Sequence, residues 1–196
     1  MQSVVGIDEA GRGPLAGPVA VGAVRVKNQD KFNKFIRGVK DSKKLGPEER
    51  NLWFQLAIEA RKKGELDFAV SLVSEKVIDK HGISYAIRLG IKRCLEKLNV
   101  PNNSQIFLDG ALKADSKFKH QLTVIKGDEK IPIISLSSIC AKVVRDKKMV
   151  RLAKKYPQYD FDLHKGYGTY VHRRAILKYG LTELHRRSFL GKLVKV

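Results

Sequence analysis

Residues 4–21 constrain the fold of this chain more than any other stretch, and they read VVGIDEAGRGPLAGPVAV. The apolar start is typical of a buried strand, and this strand ends at two adjacent carboxylates, Asp8 and Glu9. The glycines that follow permit a tight turn, so the β-rich residues 18–26 are expected to return beside the first strand. Adjacent acids at the end of a buried strand add little to stability. Their position therefore indicates a chemical role.

The pattern of apolar residues along the rest of the chain predicts strands that alternate with helices. The predicted strands cover residues 2–8, 18–26, 66–73, 105–108 and 122–125. The predicted helices cover residues 47–63, 75–82, 83–98, 133–156 and 170–178. This order predicts a mixed α/β sheet in a single domain, residues 1–196. We expect a core that ends at about residue 160 and a C-terminal helical segment, about 161–196, that folds onto it.

The net charge of +19, from 39 Lys and Arg against 20 Asp and Glu, predicts a polyanionic partner. Residues 142–196 hold 15 basic and 4 acidic residues, so 11 of the 19 excess charges lie in that part. A surface of this kind most often binds nucleic acid. A solvated, lysine-rich surface without a partner has the same composition and stays open as an alternative.

Two further features of the sequence bear on the location of the protein and on its thiols. No stretch approaches the ~20 apolar residues needed to cross a membrane, and residues 1–5 lack the features of a secretion signal. We therefore expect a cytoplasmic protein without a membrane partner. Cys94 and Cys140 lie in apolar helical patterns without metal-binding spacing, which predicts buried free thiols.

Three segments share one pattern, in which an apolar strand ends at an acid beside or near a glycine. The acids are Asp8 with Glu9, Asp109 before Gly110, and Asp128 after a glycine. If the first two strands are neighbours in the sheet, their acids meet at one edge and repel each other. Carboxylate oxygens are suitable ligands for Mg²⁺ or Mn²⁺. In a basic protein, a carboxylate site that binds two such ions is typical of enzymes that cleave phosphodiester bonds. Asp109 and Asp128 each also fit a plain turn, where acids beside glycine are common.

Seven motifs, taken together, resemble those of the type 2 ribonucleases H, the ribonuclease HII family. They are GIDEAGRGPLAGPV from residue 6, DSKKL at 41–45, LDG at 108–110, KGD at 126–128, SSICAKVVRD at 137–146, HKGYGT at 164–169 and LHRRSF at 184–189. They occur in the order of the family and extend from residue 4 to about 190. The resemblance implies a ribonuclease H-like fold, with a five-stranded mixed sheet flanked by helices. It also implies an endonuclease that cuts the RNA strand of RNA–DNA hybrids and cuts at single ribonucleotides in duplex DNA, leaving 3′-hydroxyl and 5′-phosphate ends.

The resemblance assigns roles to the acids of the three segments. Carried onto the matching positions, the four metal-binding catalytic acids are Asp8, Glu9, Asp109 and Asp128, which would hold two Mg²⁺ or Mn²⁺ ions during the reaction. Asp146 stands between Arg145 and Lys147 in a predicted helix, and we interpret it as an ion-pairing residue and not a ligand.

The resemblance also indicates how the substrate would be recognised. The turn formed by Gly11, Arg12 and Gly13 would contact the ribose 2′-hydroxyl and flanking phosphates through its main chain. Tyr167 would pack on the sugar of the neighbouring deoxynucleotide. The remaining candidates are substrate-binding Ser42 and Lys43, and, for the duplex backbone, Lys44, Lys165, His172, Arg173 and Arg174. Arg186 and Arg187 have two open interpretations, namely contact with the duplex or attachment of the C-terminal segment to the body of the domain.

Three alternatives to a ribonuclease HII remain open at this stage. A ribonuclease HIII shares the fold but usually has an extra N-terminal domain and a Gly-Lys-Gly turn, whereas this chain has Arg12. A basic nucleic-acid-binding protein without catalysis, or a nuclease such as a Holliday junction resolvase, would also fit the charge. The tail FLGKLVKV lacks a typical sliding-clamp motif, so we expect a monomer without a protein partner.

Overall fold

Five strands form one mixed sheet in the computed structural model, which describes residues 3–26, 32–33 and 45–191. The strands are β1 (Val4–Ala10), β2 (Val19–Val26), β3 (Leu66–Val73), β4 (Gln105–Asp109) and β5 (Gln121–Val124). They lie in the order β3-β2-β1-β4-β5. β2 pairs antiparallel with β1 and β3, whereas β4 pairs parallel with β1 and β5. The predicted mixed sheet is confirmed.

The helices flank the sheet and follow the predicted order. They are α1 (Pro47–Lys62), α2 (Glu75–His81), α3 (Ile83–Lys97), α4 (Gly127–Lys130), α5 (Pro132–Lys155), α6 (Phe161–His164) and α7 (Tyr170–Tyr179). The bounds of the predicted elements agree with these to within two residues. The short helices α4 and α6 were not predicted. None of the helices in the described ranges is long and apolar enough to cross a membrane.

The start of α1 follows from its sequence. Pro47 occupies the first turn, and the Glu49 carboxylate accepts a hydrogen bond of 2.8 Å from the backbone N–H of Gly46. The helix buries Phe54 together with two alanines, Ala57 and Ala60. Phe54 contacts Phe68 of β3 edge-to-face, with 5.6 Å between the ring centroids, so α1 covers one face of the sheet.

Two hydrophobic clusters lie on opposite faces of the sheet. Val5 and Ile7 of β1 pack with α3, whereas Val24 of β2 packs with α1 and α5. Cys94 and Cys140 are both free and buried, as predicted, and burial raises the pKa of each thiol to about 12.

Two strand glycines let α5 lie directly against the sheet. A Cβ atom on Gly6 would be 2.4 Å from the carbonyl oxygen of Ile133, and one on Gly22 would be 2.3 Å from that of Ser137. The Ser137 hydroxyl donates to the carbonyl oxygen of Gly6 at 2.8 Å. This close approach brings the next residue, Ser138, to the acid at the end of β1.

Candidate active site

The parallel pairing of β1 with β4 brings two acids to one edge of the sheet. Ile7 lies opposite Leu108 in the register, so Asp8 and Asp109 follow side by side. The Asp8 side chain is buried and accepts a hydrogen bond from Ser138. Burial raises the pKa of Asp8 well above its usual range, and the charges of Glu9 and Asp109 raise it further, while the Ser138 hydrogen bond opposes them.

Glu9 lies between the acids and the turn that follows β1. Burial raises the pKa of Glu9, the nearby Arg12 guanidinium opposes this effect, and the charge of Asp109 adds to it. Arg12 donates a long hydrogen bond of 3.4 Å to the Glu9 carboxylate. Because Arg12 itself is largely exposed, this contact is weak.

Two backbone N–H groups of α4 donate hydrogen bonds to the carboxylate of Asp109. The Asp109 carboxylate oxygen Oδ1 accepts a hydrogen bond of 2.6 Å from Gly127 and a longer one of 3.4 Å from Asp128. Asp128 thus lies in the first turn of a helix and not at the end of a strand, as its sequence context suggested. Asp128 is 1% exposed and is not among the residues that line the cleft described next.

A cleft of about 400 Å³ opens at this edge of the sheet. It is lined by Asp8, Glu9, Ala10, Gly11, Arg12, Gly13, Arg50, Asp109, Ser138, Lys142 and Tyr167. The structure therefore brings three of the four predicted acids, the predicted turn and the predicted tyrosine together. Sequence reasoning gave no role to Arg50, Ser138 or Lys142, although the last two belong to the SSICAKVVRD motif. Asp146 lies outside the cleft and pairs with Lys142 at 2.8 Å, which confirms its interpretation as an ion-pairing residue.

The donor set of the cleft fits a divalent cation. Within the described residues, no three Asp, Glu, His or Cys side chains converge into a ready-made set of metal ligands. Asp8, Glu9 and Asp109 nevertheless share one cleft. The charge of Asp109 raises the pKa of both Asp8 and Glu9, and the charge of Glu9 also raises that of Asp8. Hard carboxylate oxygens that repel each other are the chemistry that Mg²⁺ or Mn²⁺ neutralises.

Two buried arginines hydrogen-bond to the backbone of residues 11–18, the segment that contains the turn at the border of the cleft. Arg186 donates to the carbonyl oxygens of Gly17, Arg12 and Gly11 at 2.9, 2.9 and 2.7 Å. Arg145 donates to the carbonyl oxygen of Pro18 at 2.9 Å. Of the two open interpretations of Arg186, the structure supports attachment of the C-terminal segment to the domain. Neither arginine forms an ion pair with the acids of the described residues.

The loop that carries Tyr167 is joined to this turn. The carbonyl oxygen of Gly166 accepts hydrogen bonds from Leu15 at 2.8 Å and Ala16 at 3.3 Å. Tyr167 is 42% exposed, and the centroid of its ring lies 5.8 Å from the guanidinium carbon of Arg145. Its exposure at the mouth of the cleft leaves one side of the ring available for a substrate.

The predicted backbone-binding residues divide into three groups. Arg173 and Arg174 are exposed on α7, and Lys165 borders a neighbouring groove with other basic residues. His172 is fully buried, and both of its ring nitrogens are within hydrogen-bond distance of protein atoms, so its prediction as a duplex contact is wrong. Its side chain faces inward with Ala175 and Ile176. Ser42, Lys43 and Lys44 lie outside the described residues.

Comparison with known proteins gives consistent matches over nearly the whole chain. A family model described as Ribonuclease HII matches residues 5–192. A ribonuclease HII of Caldicellulosiruptor bescii is 41% identical over 193 residues, which cover 98% of this chain and 89% of the relative. The PCNA:RNase HII complex from Archaeoglobus fulgidus contains a chain with a TM-score of 0.74 and 27% identity, covering 94% of this chain and 93% of that one. Bst-RNase HIII in complex with Mn²⁺ has a TM-score of 0.72 at 20% identity, covering 96% and 67%, and shows the shared fold alone.

Proposed function

The chain belongs to the ribonuclease HII family and is a ribonuclease H-type endonuclease; from that premise we propose that it cleaves RNA–DNA hybrids and cuts 5′ of single ribonucleotides embedded in duplex DNA. One observation carries this proposal. A single cleft sets three carboxylates against the Gly11–Gly13 turn and the exposed ring of Tyr167. Groups suited to phosphodiester hydrolysis thus lie beside groups suited to reading a sugar.

Asp8, Glu9 and Asp109 would hold Mg²⁺ or Mn²⁺, because their oxygens line the cleft. Asp128 is proposed as the fourth ligand from its motif, since its backbone N–H already contacts Asp109 at 3.4 Å. When bound, a pair of such ions activates a water molecule and stabilises the leaving oxygen.

The turn supplies selectivity for RNA in this proposal. Since Arg186 holds the carbonyl oxygens of Gly11 and Arg12, the turn is held in one conformation beside the acids. The ribose 2′-hydroxyl is the group that distinguishes RNA from DNA, and rigid main-chain groups are well suited to detect it. Tyr167 then packs on the adjacent deoxyribose.

The duplex on either side would be held by the exposed basic residues. Arg173 and Arg174 stand on α7, and Lys165 lies near Lys147 and Arg151 in a neighbouring groove. Contacts of this kind bind phosphates without reading the sequence, and added salt weakens them. In the cell, the activity would serve ribonucleotide excision repair and the removal of RNA primers.

The comparisons do not support the prediction of a monomer without a protein partner. The structural relative from Archaeoglobus fulgidus forms a complex with PCNA, so membership of this family gives no support to a chain without a partner.

The test is cleavage of a DNA duplex that contains one ribonucleotide, with Mg²⁺, with Mn²⁺ and with a chelator. Wild type is expected to cut immediately 5′ of the ribonucleotide, and Asp109→Asn or chelator to abolish the cut. Asp115→Asn is the matched control, because Asp115 is exposed and lies outside the cleft. A duplex of DNA alone should remain intact. Binding without cleavage under every ion would leave only a basic duplex-binding protein, and cleavage of the all-DNA duplex would indicate a different nuclease.

A further inference from the structure

Three histidines of the C-terminal segment form a cluster outside the acidic cleft, and two of them are buried. His172 is 0% and His185 is 2% exposed. The His164 ring stacks on His172 with 4.5 Å between centroids, and the centroids of His172 and His185 are 5.3 Å apart. Tyr159 and Phe161 surround the pair with aromatic contacts. Three ionisable rings in an apolar setting require an explanation, since burial of a charged imidazole is costly.

Neighbouring backbone groups fix the protonation of each ring. The Nδ1 atom of His185 accepts a hydrogen bond of 2.9 Å from the backbone N–H of Thr182, so the proton of His185 lies on Nε2. That atom is 3.2 Å from Nε2 of His172 and donates to it. His172 must therefore carry its proton on Nδ1, which donates to the carbonyl oxygen of Tyr167 at 2.9 Å. The sequence of donors runs in one direction, from Thr182 through both rings to Tyr167.

The third histidine, His164, contacts the loop that carries Tyr167 at Gly166. His164 accepts a hydrogen bond of 3.1 Å from the Gly166 N–H at Nδ1 and donates from Nε2 to the Tyr159 carbonyl oxygen at 2.7 Å. These contacts require a neutral ring with its proton on Nε2. All three histidines are thus satisfied in their neutral forms, each with a single tautomer.

The segment around His185 also carries the residues that fix the turn beside the acids. Ala16 forms an isolated β-bridge with His185, and the Gly17 N–H donates to the Leu184 carbonyl oxygen at 2.8 Å. The next residue, Arg186, holds the carbonyl oxygens of the turn. One short segment therefore connects both the tyrosine loop and the turn.

We propose that His185 and His172 form a one-way hydrogen-bond relay that positions Tyr167, which makes His172 a positioning residue for recognition of the junction between ribonucleotide and deoxynucleotide. This inference rests on the proposed function, in which Tyr167 packs on the deoxyribose. The relay exists only while both rings are neutral, because a proton on His172 Nε2 would place two donors opposite each other.

The surroundings of the two rings keep them neutral. Burial lowers the pKa of each to about 4. The titratable groups that face them are His164 from α6, Tyr159 from the turn before it, and each other's ring. The acids Asp160 and Asp162 act on His164 and oppose the effect of burial there. The relay is therefore expected to persist to a pH well below neutrality.

The first experiment is ¹⁵N NMR of the histidine rings in the full chain, which reads tautomers without reference to nuclease activity. We expect the Nδ1–H tautomer for His172 and the Nε2–H tautomer for His164 and His185 at pH 7.5. An Nε2–H tautomer at His172 would overturn the relay. Because this readout needs no substrate, it remains decisive even if the wild type cuts no ribonucleotide, an outcome that would refute the proposed function alone.

The second experiment compares His172→Asn with His172→Gln in steady-state cleavage of the duplex with one ribonucleotide. The Asn amide replaces Nδ1 and keeps the hydrogen bond to the Tyr167 carbonyl, whereas Gln replaces Nε2 and loses it. We expect Gln to raise KM about fivefold, equivalent to ~1 kcal/mol for one hydrogen bond, with kcat nearly unchanged. His172→Asn should have the same KM as the wild type. On a uniform RNA–DNA hybrid, which lacks the junction, the two variants should have the same KM.

His120→Leu serves as the control, because His120 is exposed and remote from the cluster. Thermal unfolding of each variant verifies that it is folded at the assay temperature. Equal KM values for Asn and Gln, or a loss confined to kcat, would overturn the positioning role even where NMR supports the relay.

Discussion

The Nη2 atom of Arg186 donates a hydrogen bond of 2.7 Å to the carbonyl oxygen of Gly11, 175 residues earlier in the chain. The same guanidinium holds Arg12 and Gly17 and is fully buried. Burial lowers the pKa of Arg186 to about 9, so the group remains a cation at neutral pH. The turn beside the acids therefore has its conformation set, and positive charge placed behind it, by a residue of the C-terminal segment.

Replacement of Arg186 by Met should destabilise the domain, because three carbonyl oxygens lose their buried donor. We expect a loss of about 2–4 kcal/mol in the free energy of unfolding, given ~1–3 kcal/mol for each unsatisfied group and incomplete additivity. Thermal denaturation measures this loss. Arg187→Met is the control for stability, since the Arg187 side chain is exposed. Equal melting temperatures for the two variants would contradict this account of the turn.

The two glycines of the turn should respond differently to alanine. Gly11 has φ of +86°, and a Cβ atom there would lie 1.9 Å from Nε of Arg145, whereas a Cβ on Gly13 meets nothing within 4 Å. Gly11→Ala is expected to lower stability by at least the ~1–2 kcal/mol of a left-handed L-residue. Gly13→Ala should unfold like the wild type and lose cleavage only through obstruction of the substrate. Normal stability of Gly11→Ala, by urea denaturation, would refute this distinction.

Asp8→Asn should stabilise the protein in chelator at pH 7. The folded-state pKa of Asp8 is raised by burial and by its acidic neighbours, so the folded protein disfavours the ionised carboxylate. A neutral amide removes that cost, and each 1 kcal/mol of relief raises Tm by ~2–4 °C in a domain of this size. Asp115→Asn, at an exposed acid, should leave Tm unchanged. A lower Tm for Asp8→Asn would show that the carboxylate is not repelled in the fold.

Added Mg²⁺ should raise the Tm of the wild type by binding the folded state alone. At a concentration 100 times the dissociation constant, the gain is ~2.7 kcal/mol. The gain should be smaller in Asp8→Asn and Asp109→Asn, which lose a carboxylate of the cleft. Differential scanning calorimetry with and without the ion tests this, and an equal shift in all three proteins would place the ion elsewhere.

Acid should weaken the histidine cluster. The pKa values of His172 and His185 are lowered to about 4 in the fold, against ~6.5 in an unfolded chain. Between these values the unfolded state binds more protons, so their contribution to stability is full above pH ~6.5 and falls as the pH approaches 4. Urea denaturation from pH 7.5 to 4.5 should show a shallower loss in His172→Asn than in wild type. Parallel curves would indicate that His172 is not kept neutral by the fold.

The convergence of Asp8 and Asp109 could be predicted, because each follows an apolar run of a strand and these two strands, β1 and β4, pair in parallel. The position of Asp128 in a short helix could not be predicted in the same way. α4 has four residues, too few to produce a helical period, and it begins after Lys126 in a left-handed conformation at φ of +54°.

The sequence did not predict which basic residues are buried. The triplet at 172–174 has the composition of a basic surface, yet one turn of α7 buries His172 and exposes Arg173 and Arg174. The periodicity with Ile176, four residues after His172, was a usable signal. No comparable signal marks Arg145 or Arg186, because their partners are 127 or more residues away and are backbone oxygens.

The long separation between Arg186 and Gly11 also determines when the cleft is completed during synthesis. Asp8 leaves the ribosome first, Asp109 follows after the crossover to β4, and Arg186 emerges later still. Because a domain generally folds as a unit, the turn cannot be fixed beside the acids until Arg186 has emerged. A chain that has not yet released Arg186 would therefore carry the carboxylates without a fixed turn beside them, and the cleft would be completed only at the end of synthesis.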